Sequence, residues 1–282
     1  MGCFYMNKTI AFIGTGAMGG AMIRAACRSI DPAQIILTDY LPEKAEHLAA
    51  ELGCRTAPSN LAAVEAADYV FLCVKPQGAA AVIQEIAPVL RASLADGRPK
   101  LLCSILAGVS TEAIRGVLDS PAYPVARIAA NTPALVGKGL MLYACDESVP
   151  HGDIADLEII LFECGVVTRL EERLVDQAMA VAGCSPAFVY MFIEALADGG
   201  VLTGLDRTRS IQFAAQAVYG AAAMVLETDL HPGALKDMVT SPGGSTIAGV
   251  AALEAAGFRQ AVISAVAASY QRNIQLGEIG GD

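Results

Sequence analysis

Thr9-Ile10-Ala11-Phe12-Ile13-Gly14-Thr15-Gly16-Ala17-Met18-Gly19 is the stretch on which the fold of this 282-residue chain turns. A short apolar strand runs directly into Gly-x-Gly-x-x-Gly, and residues 20–30 then have the pattern of a helix. In such a strand–turn–helix the glycines let backbone approach a pyrophosphate. The helix N-terminus adds oriented N–H groups and the positive end of its dipole. The glycine triplet alone is a weak signal, since an ordinary tight turn has the same spacing. A second apolar strand, 34–38, strengthens it by ending on Asp39. That carboxylate stands about 20 residues past the last glycine, where an adenosine ribose is held in dinucleotide-binding folds.

Strand and helix patterns alternate outward from this point. Helices are predicted over 43–52, 61–66, 79–90 and 110–118, with strands over 54–57, 69–74, 101–105, 125–129 and 139–143. Residues 69–74 and 101–105 are unbroken apolar runs, as expected of strands buried on both faces. A helix over 153–164 and a last strand over 166–170 complete a doubly wound parallel sheet. After Glu171 no strand pattern remains. Four helices are predicted, over 174–183, 187–202, 207–228 and 246–276, with small residues dense in Gly220-Ala221-Ala222-Ala223. The expected architecture is α/β: an N-terminal Rossmann-type doubly wound domain, 1–169, followed by an all-α domain, 170–282.

Composition narrows the function. Hydrophobic residues make up 54% and charged residues 17%, too apolar for disorder. A net charge of −10 disfavours nucleic acid or an anionic membrane as partner. The uncharged runs 178–193 and 210–226 each fall short of the roughly 20 apolar residues of a membrane span, so buried or interface helices explain them better. No signal-peptide pattern precedes the first strand. The eight cysteines form no C-x-x-C pair and the three histidines are scattered, so no metal is expected. Reduced thiols inside apolar strands point to a cytoplasmic protein.

The cofactor candidates lie at the C-terminal ends of the predicted strands. They are Ile13, Gly14, Thr15, Gly16, Ala17 and Met18 in the first turn, Asp39, Asn60, Cys73-Val74-Lys75-Pro76, and Ala107-Gly108. Lys75-Pro76 reads equally as a cofactor contact or a plain strand-ending turn. The second half holds one unusual polar segment, Ser241-Pro242-Gly243-Gly244-Ser245-Thr246, ahead of an apolar helix. Ser245 or Thr246 is the expected N-cap. Free N–H groups there could hold a carboxylate, although from chemistry alone a plain helix cap is the better reading.

These residues carry a resemblance. The chain resembles the pyrroline-5-carboxylate reductases over nearly its whole length. The resemblance rests on 12–19, on Val74-Lys75-Pro76-Gln77, and on Asn131-Thr132-Pro133-Ala134. It rests most on 194–201, 231–237 and 241–246. It implies reduction of 1-pyrroline-5-carboxylate to proline with NAD(P)H, the last step of proline biosynthesis. It also implies an intertwined helical dimer that can assemble further, up to a pentamer of dimers. Gly243, Gly244, Ser245 and Thr246 would bind the substrate carboxylate, and the Thr246 hydroxyl would meet the ring nitrogen as the catalytic group. Cys184, Met238 and Asp39-Tyr40 depart from the family's usual residues. Asp39 faces a ribose better than a 2′-phosphate, so NADH is expected to serve at least as well as NADPH. A reductase of a related cyclic imine is the nearest alternative. A β-hydroxyacid dehydrogenase would want a lysine on the helix at 187–202, which has none. A non-catalytic dinucleotide-binding protein would have no use for the Ser-Pro-Gly-Gly-Ser-Thr turn.

Overall fold

The structure is a computed structural model that describes residues 6–276. Eight strands form one sheet: β1 (Ile10–Ile13), β2 (Ile35–Thr38), β3 (Arg55–Thr56), β4 (Tyr69–Leu72), β5 (Leu101–Ser104), β6 (Val125–Ala130), β7 (Gly139–Ala144) and β8 (Gly165–Arg169). Their order is β3-β2-β1-β4-β5-β6-β7-β8. Strand order therefore reverses at β1, between β2 and β4. In a doubly wound sheet a crevice opens at such a point, beyond the C-terminal ends of the strands. The Gly14–Gly19 turn leaves β1 there.

Alternation along β1 shows why both faces are covered. Ile10 and Phe12 pack with Met22, Ile23, Leu48 and Leu157, from α1 (Ala17–Ala26), α2 (Pro42–Leu52) and α6 (His151–Leu161). Ala11 and Ile13 pack with Val64, Ile83 and Ile114, from α3 (Asn60–Ala66), α4 (Pro76–Ala95) and α5 (Thr111–Leu118). Period-2 side-chain alternation feeds both layers, so the strands read as unbroken apolar runs.

One strand departs from the parallel expectation. β7 pairs with β6 antiparallel, and β8 then pairs with β7 parallel. Only residues 131–138 link β6 to β7, too few for the crossover that a parallel pair needs. Asn131 fixes this turn: its Oδ1 accepts from Leu140 N–H at 2.9 Å, and its Nδ2 donates to the Ala182 carbonyl at 2.9 Å.

The helical half consists of α7 (Val175–Ala182), α8 (Ser185–Leu202), α9 (Arg207–Thr228), α10 (Pro232–Met238), α11 (Ser245–Ala255) and α12 (Phe258–Leu276). The predicted helix 246–276 is two helices, broken where Gly257 takes φ +74°, a left-handed stop that glycine adopts readily. α10 falls outside the four predicted helices. By length and composition the stretch Glu172–Leu202 is apolar enough to cross a membrane, holding an 18-residue window of mean hydropathy 1.6. The uncharged run 178–193 is only the apolar middle of this stretch.

The chain divides into two compact units, one running to Gly183 and taking in Ser269 onward, the other Cys184–Ala268. The sheet itself ends at Arg169.

Candidate functional site

The glycine turn is built by close backbone packing. Gly14 has φ +104°, and a Cβ there would come 2.5 Å from the Cys73 carbonyl oxygen. A Cβ on Gly19 would come 2.4 Å from the Gly14 carbonyl oxygen. Side chains are excluded at both positions, which lets α1 begin directly over the end of β1. Gly16 is the N-cap of α1, with open space where a Cβ would stand and no acidic residue in the first turn. The first N–H groups of a helix have no intrahelical partner. This N-terminus therefore has the donors, the room and the dipole sign to receive a pyrophosphate.

The other first-half candidates gather along the same sheet edge. Cys73 and Val74 follow β4, with Cys73 N–H bonded to the Ile13 carbonyl at 2.8 Å. Burial pushes the Cys73 thiol well up, so it stays protonated. Lys75 is the exposed N-cap of α4, and Pro76 is its first residue. Ala107 and Gly108 form the turn after β5, with Gly108 at φ +75°.

Asp39 is already engaged. Its Oδ2 accepts from Thr15 N–H at 2.7 Å and Thr15 Oγ1 at 2.8 Å, and its Oδ1 accepts from Leu41 N–H at 3.0 Å. Burial pulls this carboxyl upward, but those hydrogen bonds and nearby Lys44 outweigh it and hold it below the ordinary value. An ionised carboxylate has about four acceptor sites, so little capacity remains. Both ribose hydroxyls could bond Asp39 only by competing with Thr15. Asn60, the first residue of α3, is oriented from two sides: Thr38 Oγ1 donates to its Oδ1 at 2.8 Å, and its Nδ2 donates to Glu85 Oε2 at 2.9 Å. Sequence reasoning passed over Thr15 as the partner of Asp39, and over Thr38 and Glu85 altogether. A hydroxyl at the end of a strand was the available signal for Thr38. Glu85 carried none, being a lone acid on α4 that stands 25 residues from Asn60 in sequence.

The polar candidates of the second half lie on one helix start. Gly244, not Ser245 or Thr246, is the N-cap of α11, and no side chain caps it. Gly243 takes φ +68°, and Gly244 N–H bonds the Ser241 carbonyl at 3.0 Å. Because the cap is a glycine, the Ser245 and Thr246 side chains are released from capping and lie exposed in the first turn. Their N–H groups, with no acidic residue nearby in that turn, suit a carboxylate.

Comparison with known proteins bears on the family and on the fold of both halves. A family described as "Pyrroline-5-carboxylate reductase dimerisation" matches residues 172–276. One described as "NADP oxidoreductase coenzyme F420-dependent" matches residues 9–108. The pyrroline-5-carboxylate reductase of Synechocystis sp. is 40% identical over 97% of this chain and 100% of its own length. That of Escherichia coli is 40% identical over 96% of this chain and 99% of its own. Among solved structures, a pyrroline-5-carboxylate reductase from Coxiella burnetii superposes with TM-score 0.87 at 29% identity, covering 97% of this chain and 100% of its own. The Plasmodium falciparum enzyme, solved with NADP bound, gives TM-score 0.84 at 29% identity, covering 96% and 99%. With a Rossmann sheet in its first half, a dimerisation-family helical segment in its second and 40% identity along nearly all of its length, this chain belongs to the pyrroline-5-carboxylate reductase family.

Proposed function

We propose that the chain reduces 1-pyrroline-5-carboxylate to L-proline, adding hydride to the carbon of the C=N bond and a proton to its nitrogen. The single structural observation that carries this reading is the glycine-capped start of α11. It leaves N–H groups and the Thr246 hydroxyl together at one exposed turn. A small ring bearing a carboxylate beside an imine nitrogen presents the matching groups.

The residues divide the work. Ile13 to Met18 would hold the pyrophosphate of a nicotinamide dinucleotide, and Asp39 would meet its adenosine ribose. Asn60, Cys73 to Pro76, and Ala107-Gly108 would contact the rest of the cofactor. The bound nicotinamide dinucleotide supplies the hydride. Gly243, Gly244, Ser245 and Thr246 hold the substrate carboxylate, and Thr246 Oγ1 hydrogen-bonds the ring nitrogen as it becomes an amine. A cyclic iminium is already electrophilic, so orientation of its C5 supplies much of the rate. NADH serves at least as well as NADPH, because Asp39 favours free ribose hydroxyls.

The domain boundary falls at 169/170, supported by the end of β8 and by a dimerisation match that starts at residue 172. The helical domain pairs with a second copy, and pairs can assemble to a pentamer of dimers. We place the enzyme in the cytoplasm, on the strength of its scattered cysteines.

The direct test follows oxidation of NADH and NADPH with 1-pyrroline-5-carboxylate, side by side, with proline identified as product. Oxidation that yields proline supports the assignment. Reduction of piperideine carboxylate alone would transfer it to a related cyclic imine reductase.

A further inference from the structure

Beside the C-terminal end of β2 lies a cavity of about 590 Å³. Asp39, Glu46 and Glu85 line it together with Thr38, Ser59 and Asn60, and none of its described lining residues is a lysine or arginine. The acids come from three elements: the end of β2, α2 and α4. The Asn60 amide forms the polar wall between them. Thr38 Oγ1 holds its oxygen and Glu85 Oε2 takes one of its N–H groups at 2.9 Å. That pairing fixes which way the amide points, because only an N–H can face a carboxylate. It also removes one of the two donors that Asn60 could offer to an anion. Lys44 reaches the field of Asp39 but does not line the cavity.

We propose that Glu85 is a specificity-determining residue: by holding the Asn60 amide and adding a third carboxylate to this cavity, it selects adenosine with free ribose hydroxyls over adenosine carrying a 2′-phosphate. The inference rests on the dinucleotide-binding reading above and extends it to a residue far from the sequence motif. A 2′-phosphate brings nearly two negative charges. Repulsion between such a group and carboxylates within a Debye length of about 8 Å is only partly screened. Ribose hydroxyls, by contrast, can donate to these oxygens.

The test is a binding measurement that needs no turnover. Calorimetry gives the affinities of 5′-AMP and 2′,5′-ADP for the full-length protein and for Glu85→Gln. Glu85 is exposed on α4, so the substitution leaves the core intact. Removing one charge should raise the 2′,5′-ADP to AMP affinity ratio about tenfold at low salt, and less at high salt. Glu46→Gln, independent of the Asn60 contact, should move the ratio the same way by a smaller factor. A Glu85→Gln ratio equal to wild type, or equal losses for both nucleotides, would overturn the proposal. Failure of the reductase reading would look different: nucleotide binding with this discrimination, but no imine reduction.

Discussion

At the scale of single residues, the roles proposed for Thr246 and Asp39 separate chemistry from binding. Thr246 stands exposed in the first turn of α11, and its hydroxyl caps nothing there. Thr246→Ala therefore costs the helix little, while it would remove the hydrogen bond proposed to the reacting nitrogen. Such a bond is worth about 1–3 kcal/mol, roughly tenfold to a hundredfold in rate. Steady-state kinetics should show turnover falling by that factor with cofactor affinity nearly constant; wild-type turnover would remove Thr246 from the mechanism. Asp39 is more entangled. Asp39→Ser with Tyr40→Arg should shift preference towards NADPH, since Tyr40 is 97% exposed and an arginine there is free to reach a phosphate. The substitution also strips Thr15 of its acceptor. Affinity for both cofactors should drop while the NADPH to NADH ratio of kcat/KM rises. An unchanged ratio would mean that the ribose is held elsewhere.

At the scale of elements, burial separates ion pairs that look alike. Arg127 on β6 has a side chain only 5% exposed, bonded to Asp176 on α7 at 2.6 Å, with Glu172 3.9 Å away. Glu172 in turn accepts from Thr111 N–H and Oγ1 at the start of α5. Arg173 and Glu171 meet at 2.7 Å but are both more than two-thirds exposed. Asp176→Ala leaves a buried guanidinium short of its main partner and should cost about 3 kcal/mol. That corresponds to a melting temperature lower by roughly 2–4 °C per kcal/mol. Glu171→Ala should stay within about 0.5 kcal/mol. Equal shifts in thermal unfolding would contradict this ranking. The same contrast between local and long-range causes decides what the sequence could tell. Strands such as Tyr69–Leu72 and Leu101–Ser104 were legible because two-sided burial writes an unbroken apolar run. The direction of β7 was not written in its own residues but in the length of the turn before it. α10 hid because its N-cap is the His231 ring, accepting from Gly233 N–H, and only Pro232 marked its first turn. The glycine turn and Asp39 were readable from spacing. The Asn60–Glu85 pairing spans α3 and α4, and no local pattern announces it.

At the scale of the whole molecule, the unit Cys184–Ala268 lacks a core of its own. On α8 only Ala197 is buried, on α9 only Ser210 and Ala214, and on α10 and α11 nothing. Large apolar side chains instead face outward: Tyr190 is 58% exposed, Met191 69%, Phe213 57%, Tyr219 59%, Leu226 81% and Ile263 62%. Contiguous apolar surface on this scale marks an interaction face. A lipid bilayer and a second protein chain are the two environments that would cover it. A membrane helix needs an apolar girdle, but Glu172–Leu202 carries Asp176, Glu194 and Asp198, and α9 carries Arg207, Arg209, Gln212, Gln216 and Glu227 among its apolar residues. Interleaved polar groups of this kind suit a protein interface, where each can find a partner, and the matched dimerisation family spans this whole stretch. The chain should therefore be an obligate oligomer whose helical half folds only with a partner. Light scattering at micromolar concentration should give at least twice the 29.1 kDa of one chain. Dilution should lower thermal stability, because dissociation and unfolding of the helical half are then one process. Phe213→Glu places a charge on the exposed apolar face of α9 and should yield smaller, less stable species with the Rossmann half still able to bind nucleotide. An active particle with the mass of a single chain would show that these helices cover one another in solution.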